Sequence, residues 1–353
     1  MSTDNKRGKR TSRHERRTAE ERSKNNSVKT CQPDAPTNGE RKAQRKLITK
    51  FVGRTLEKGP TGLRAEFQGM KRSNDFGKMK AFKEAQEFGR NRYKDVGCLD
   101  NCRVKLTTPW PNEYIHANYV STPNNPKRFI CTQAPLEKTC ADFWFMCLQE
   151  RVETIFMLCN FTEKGTKKCH EYFPKSDSLT FEEGGGEFKI VVKFENSKNV
   201  KFKGKGIKAN VVETQLTVEG PNDMSIKLTH LHWIDWPDRG VPPADLAIIE
   251  LLNKARQSKG PIAVHCSAGI GRTGSVVMIE YIMEQMLSNQ QIDDTDKIML
   301  KIREQRNNSV QTDHQYLFVH QVIMNYFRFR KLFDPTIEAL HDDFTKNYLK
   351  LVI

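Results

Sequence analysis

The sequence predicts one mixed domain of strands and helices, α/β or α+β, and three observations carry that expectation. Alternating apolar residues mark strands in the middle of the chain. Apolar residues three and four apart mark helices after it. At residue 266 a strand runs straight into a glycine-rich turn and then a helix. At 353 residues the chain is long enough to bury a substantial core without disulfide staples.

Taken from the N-terminus, the first 50 residues hold 15 Lys/Arg against 6 Asp/Glu, so +9 of the formal net charge of +15 lies there. Almost no aliphatic or aromatic side chain is available in this part to offset the entropy of ordering, and residues 1–60 are expected to form a disordered basic arm. "KRGKR" and "RHERR" make the arm a candidate for contact with a polyanion or the nuclear-import machinery, with a simple solvated tail as the equal alternative. From about Leu63 to about Phe333 apolar residues recur without a linker or an internal repeat, which places one domain at 61–332 and a short C-terminal tail at 333–353. In "EFKIVVKF" Phe188, Ile190, Val192 and Phe194 share one face, and "SIKLTHLHW" reads the same way; both are strands. In "GRTGSVVMIEYIMEQML" Val276, Ile279, Met283 and Met286 fall on one helical stripe. "TDHQYLFVHQVIMNYF" is a second helix, at whose start Thr312 and Gln315 have the spacing of a capping box. The order of the strands is not legible from this pattern.

No apolar run reaches membrane-spanning length. The nine cysteines are odd in number and show no short repeating spacing. With no signal peptide read at the start, they imply reduced thiols, and a cytoplasmic protein with nuclear entry as a further option is expected. Cys98 with Cys102, and Cys169 beside His170, lack a second pair at zinc-site spacing, so no metal is expected.

The chemistry centres on "PIAVHCSAGIGRTGSVVMIE". Between Cys266 and Arg272 lie five small or glycine-flanked residues, Ser267, Ala268, Gly269, Ile270 and Gly271, whose amides can curl into an anion-binding nest. The following helix adds its positive end, and both effects favour a thiolate at Cys266. The planar fork of Arg272 can clamp the same tetraoxo anion, which makes Cys266 a candidate nucleophile for phosphoryl transfer. Two other readings stand beside this one: a plain strand-to-helix connection, and a nucleotide-binding loop, although the Gly-Lys-Ser/Thr of a Walker loop is missing.

"HCSAGIGRTG" resembles the signature of the cysteine-based protein tyrosine phosphatases. Further segments similar to that family follow in its order: "NRYKDV" (91–96), "EYIHANYV" (113–120), "TQAPLEKT" (132–139), "DFW" (142–144), "KCHEYFP" (168–174), "WPDRGVP" (236–242) and "QRNNSVQTDHQ" (305–315). The likeness covers roughly residues 63–330. It implies a central twisted mixed sheet flanked by helices, a single non-receptor catalytic domain, and hydrolysis of phosphotyrosine through a cysteinyl-phosphate without metal or other cofactor.

The same resemblance implies the roles of individual residues. Cys266 attacks, Arg272 and the amides of Ser267 to Gly271 hold phosphate, and Thr273 hydrogen-bonds the thiolate. Asp238, on a movable loop with Trp236 and Pro237 as hinge elements, serves as acid and then base. Gln311 positions the hydrolytic water with Gln315 assisting, beside the capping role open to Gln315. Tyr93 walls the cleft, Asp95 holds the substrate backbone, and Lys94 favours acidic neighbours of the phosphotyrosine. His265 organises the loop, Glu163 orients the arginine and Lys168 reaches the acid loop. Against the family pattern, Ala134 stands for glycine, His116 for asparagine, Arg239 for an aromatic or histidine, and Asn308 for a glycine that opens a second pocket, here expected to be narrowed. A binding-only pseudophosphatase is the alternative; nucleophile, acid and arginine are nonetheless all present. The expected partner is a phosphotyrosine protein, and the expected state is a monomer.

Overall fold

The computed structural model describes residues 38–333 and 335–352. The strands are β1 (Arg103–Lys105), β2 (Tyr114–Thr122), β3 (Asn125–Thr132), β4 (Thr154–Met157), β5 (Thr162–Glu163) and β6 (Thr166–Lys167). They continue with β7 (Ser178–Glu183), β8 (Phe188–Asn199), β9 (Val211–Glu219), β10 (Ser225–Trp233) and β11 (Ile262–His265). All but β5 and β6 form one mixed sheet in the order β1-β2-β3-β11-β4-β10-β9-β8-β7, while β5 and β6 make a small separate hairpin. The centre is parallel, β3 to β11 to β4 to β10, and both wings are antiparallel.

The four residues of β11 are all buried, as a strand covered on both faces must be. Ala263 lies opposite Ile130 and Ile155, and His265 opposite Thr132 and Met157. This register brings the chain to Cys266 just beyond the carboxyl end of the central parallel strand, the side of such sheets where ligands bind.

Among the described residues eight α-helices flank the sheet: α1 (Asn38–Gly69), α2 (Lys80–Glu87), α3 (Cys140–Gln149), α4 (Ala247–Ala255), α5 (Gly271–Leu287), α6 (Thr295–Arg303), α7 (Asp313–Phe329) and α8 (Pro335–Val352). The stripe read from Val276, Ile279, Met283 and Met286 understates α5, in which only Glu284 and Leu287 escape burial. The helix packs on α7, and α7 on α8, so α5 is a core helix covered nearly all round.

Two boundaries differ from the sequence reading. Residues 38–60, assigned above to a disordered arm, are helical, and the folded body begins well before residue 61. Ile48, Phe51, Val52 and Thr55 are buried at helical spacing, with the Phe51 ring stacked on His320 and edge-on to Phe327. The lysines and arginines between them fill the solvent face, so average composition hides the stripe. Within α1, Gly59 (φ 59°) followed by Pro60 interrupts the helical backbone. The C-terminal segment is likewise more than a tail. In α8, His341, Phe344 and Tyr348 are buried, and Gln321 of α7 donates to Thr345 Oγ1 at 2.9 Å. The "KRGKR" and "RHERR" segments lie outside the described residues.

Candidate active site

Between β11 and α5 the chain turns through Cys266 to Ile270. Gly269 has φ +71°, and a Cβ there would stand 2.0 Å from the carbonyl oxygen of Thr132, so the turn admits only glycine. Its amide donates to Cys266 Sγ at 3.3 Å. Burial pushes the Cys266 thiol up, but the charge of Arg272, Thr273 and the Gly269 amide together outweigh it and hold the pKa below the ordinary thiol value. Thr273 Oγ1 is buried without a hydrogen-bond partner among the described residues, and Thr273 acts on the Cys266 thiol by lowering its pKa.

Arg272, almost wholly buried, is held from several sides. Its Nη1 and Nη2 donate to Glu163 Oε1 and Oε2 at 2.6 and 2.7 Å, and Nη1 also donates to the carbonyls of Leu158 (2.7 Å) and Trp236 (3.1 Å). Nη2 donates to Asp238 Oδ1 at 3.0 Å, and Lys168 Nζ lies 2.9 Å from Asp238 Oδ2. The loop bearing Asp238 is therefore folded down over the cleft. Desolvation raises the Asp238 carboxyl, yet Lys168, Arg272 and Arg239 prevail and its pKa is lowered. Trp236 anchors the loop by packing edge-on to Trp233 and Phe318.

Tyr93, Asp95, Lys168, Asp238, Arg239, Cys266, Ser267, Ala268, Gly271, Arg272, Gln311 and Gln315 line one cleft. Among the residues named from the sequence, Lys94 is exposed outside that lining, Gly269 and Thr273 are buried outside it, and Ile270 lines an adjoining cleft. Tyr93 Oη and Ser267 Oγ are 2.8 Å apart, which ties the wall to the floor. Gln315 Oε1 accepts from the amides of Gln311 (2.9 Å) and Thr312 (3.3 Å), while Thr312 Oγ1 accepts from Gln315 N (3.2 Å), closing the capping box. Gln315 thereby presents Gln311 to the cleft. That adjoining cleft is also lined by Arg72, Asn74, Arg239 and Asn308, and within that lining Asn308 Nδ2 donates to Asn74 Oδ1 at 3.1 Å.

His265 and Ala134 fit behind the floor. His265 Nδ1 lies 3.2 Å from the Cys266 carbonyl and Nε2 lies 2.7 Å from Tyr172 Oη, and burial lowers its pKa to about 3, so the ring is neutral. Ala134 donates from its amide to the Ser267 carbonyl at 3.0 Å with its methyl buried. Two residues of the site went unmarked in the sequence: Tyr172, and Arg306, whose guanidinium donates to the carbonyls of Ala268 (3.1 Å) and Gly269 (3.0 Å). Both lie inside segments quoted above, but nothing local separates a buried arginine from a solvated one. Among the described residues no group of three or more His, Cys, Asp or Glu side chains is placed to hold a metal ion.

The profile of the family described as Protein-tyrosine phosphatase matches residues 87–325. The chain is 35% identical over 251 residues to receptor-type tyrosine-protein phosphatase zeta of Rattus norvegicus, covering 67% of this chain and 10% of that one. It is 34% identical to the human tyrosine-protein phosphatase non-receptor type 12, over 67% of this chain and 30% of the relative. With the non-receptor type 2 enzyme of Rattus norvegicus it shares 32% identity, over 69% and 57%. The chain belongs to the protein-tyrosine phosphatase family. It spans between a tenth and somewhat over half of the length of these relatives, and among its described residues no helix is long and apolar enough to cross a membrane.

Proposed function

We propose that the protein hydrolyses phosphotyrosine on protein substrates through a cysteinyl-phosphate. The observation that carries this reading is a buried thiol with a lowered pKa beside an arginine held in a fixed two-pronged orientation by Glu163. In the first step Cys266 Sγ forms a bond to phosphorus as the bond to the tyrosine oxygen breaks, and Asp238 gives that oxygen its proton. In the second, water oriented by Gln311 attacks phosphorus, Asp238 takes the water's proton, and the Cys266 thiolate leaves with inorganic phosphate released. Arg272 and the loop amides stabilise the equatorial oxygens throughout.

Asp238 must be protonated to act as the acid, whereas here it is paired with Lys168 and Arg272. An incoming phosphate takes over Nη2 of Arg272 and adds negative charge beside Asp238; both changes raise its pKa toward the protonated form. Substrate binding thus arms the acid. Tyr93 is read as the wall that selects the longer phosphotyrosine, with Asp95 holding the peptide backbone and Lys94 and Arg239 favouring acidic neighbours.

A steady-state assay with phosphotyrosyl and phosphoseryl peptides tests the reading. Cys266→Ser is expected to abolish turnover with phosphate binding largely kept, and Asp238→Ala to slow turnover while bound substrate accumulates. Residual activity of Cys266→Ser close to wild type excludes the mechanism; equal rates on both peptides exclude the substrate class. We further read the chain as a cytoplasmic monomer with reduced thiols, and its basic arm as a polyanion or nuclear-import contact. Deletion of residues 1–37 should remove salt-sensitive polyanion binding and leave the phosphatase rate intact.

A further inference from the structure

Arg306 is fully buried, yet its partners are neutral: the carbonyls of Ala268 and Gly269, Asn118 Oδ1 at 2.9 Å, and His116 Nδ1 at 3.2 Å. Its effect on the nucleophile loop follows from peptide geometry. In a trans peptide the C=O and the next N–H point in opposite directions. Drawing the Ala268 and Gly269 carbonyls back toward Arg306 therefore turns the Gly269 and Ile270 amides the other way, and the Gly269 amide does reach Cys266 Sγ. Arg306 sets the amide orientation on which an anion hole depends.

His116 determines where Arg306 sits. Its Nε2 is 2.9 Å from the carbonyl oxygen of Val96, an acceptor only, so Nε2 carries the proton and the Nδ1 lone pair is free to accept from Arg306 Nη2. The Phe82 ring packs edge-on to the imidazole at 5.7 Å and limits its rotation. Val96 ends the segment that carries Tyr93 and Asp95, and itself lines the cleft. One neutral ring thus joins the wall of the cleft to the back of its floor.

We propose that His116 is a positioning residue, a strut that fixes the distance between the Tyr93–Val96 wall and the Arg306-held nucleophile loop, and so governs both the anion affinity of the loop and the thiolate character of Cys266. The inference rests on the phosphotyrosine reading for its substrate, but the geometry of the loop is measurable without it. Protonation of the strut would set a second cation against Arg306; burial and the Arg306 charge keep the ring neutral, with a pKa lowered to about 3.

The test compares His116→Leu, which fills the space without polar atoms, with His116→Gln, which can donate to Val96 and accept from Arg306. Three readouts are taken on the full chain: the pH dependence of Cys266 alkylation by iodoacetamide, protection from alkylation by inorganic phosphate, and kcat and KM for a phosphotyrosyl peptide. For His116→Leu the alkylation midpoint is expected to move to higher pH and phosphate protection to weaken about tenfold, the loss of one hydrogen bond to a charged group. His116→Gln should stay within about threefold of wild type. If the Leu variant does not fold, the proposal is decided by His116→Ala and Arg306→Lys, which must show the same two shifts. A folded His116→Leu with unaltered alkylation profile and phosphate protection overturns the strut, whatever its Tm. If the wild type fails to turn over the peptide while the two binding readouts shift as expected, the strut stands and the phosphotyrosine reading falls.

Discussion

Replacing Glu163 by Gln removes one charge from a buried pair while keeping its shape, and the consequence can be worked from the contacts. In the wild type two parallel bonds of 2.6 and 2.7 Å join the carboxylate to Arg272, and Glu163 Oε1 also accepts from the Asn160 amide at 3.1 Å. A glutamine can accept at only one of the two guanidinium positions, and its NH2 faces an Arg272 N–H at the other. One charge-assisted bond is lost and a buried donor is left unmatched; breaking one side of a buried pair costs roughly 3–5 kcal/mol. Arg272 keeps the Leu158 and Trp236 carbonyls and leans further on Asp238, so the phosphate clamp is mis-set and the acid is held more tightly in its ionised form. At about 3 kcal/mol, kcat/KM for a phosphotyrosyl peptide should fall about 100-fold, inhibition by inorganic phosphate should weaken at least tenfold, and Tm should drop by on the order of 6–12 °C. Steady-state kinetics well below the variant's Tm, with phosphate as competitive inhibitor, separate the local effect from unfolding. A variant within about threefold of wild type in both kcat/KM and phosphate inhibition would show that the backbone carbonyls suffice to orient Arg272 and that Glu163 does not set the clamp.

Lys168→Met removes a group that lowers the Asp238 pKa; because the acid must carry its proton, the alkaline limb of kcat/KM should move to higher pH, and a limb that stays in place or moves down contradicts the pairing. Gly269→Ala forces a methyl into the Thr132 carbonyl at a positive φ, and should cost roughly 2–5 kcal/mol and essentially all turnover; a stable, active variant would mean the turn is built differently. His116 and His265, with pKa values lowered to about 3, and His320 and His341, lowered to about 4, are buried neutral, against 6.5 when unfolded. Their support for folding is complete above pH 6.5 and is lost as pH falls toward their folded values, by about 1.4 kcal/mol per pH unit for each histidine once well below 6.5. Thermal melts from pH 7.5 to 5 should decline accordingly, and a flat Tm would contradict their burial. Phe344→Ala should lower stability by about 3–5 kcal/mol if α8 belongs to the core; an unchanged melt would return that helix to the status of a tail.

Period and capping made much of the architecture readable. The β8 and β10 strands, the α5 and α7 helices and the Thr312–Gln315 capping box lie where the pattern put them. These signals are local: a side chain every two or every three to four residues reports which face is buried. The same logic failed at α1, where charged residues outnumber the apolar stripe, and at α8, whose buried face has only His341, Phe344 and Tyr348. Those helices are stable because an already formed core receives them, which no window of sequence records.

By itself the sequence marked the candidate reacting groups, a cysteine and an arginine separated by small residues, because such a loop lets backbone amides and a planar cation meet one anion. Family likeness added candidates for the distant acid, the cleft wall and the water-positioning residue. Only the tertiary structure decided how these groups are poised. It gave Arg272 a two-pronged partner in Glu163, held Asp238 in a pair that a phosphate must break, and set Arg306 and His116 behind the loop to turn its amides forward. The physical reason is that orientation and pKa depend on charges and dipoles brought within a few ångströms from segments far apart in the chain, and burial makes those neighbours count.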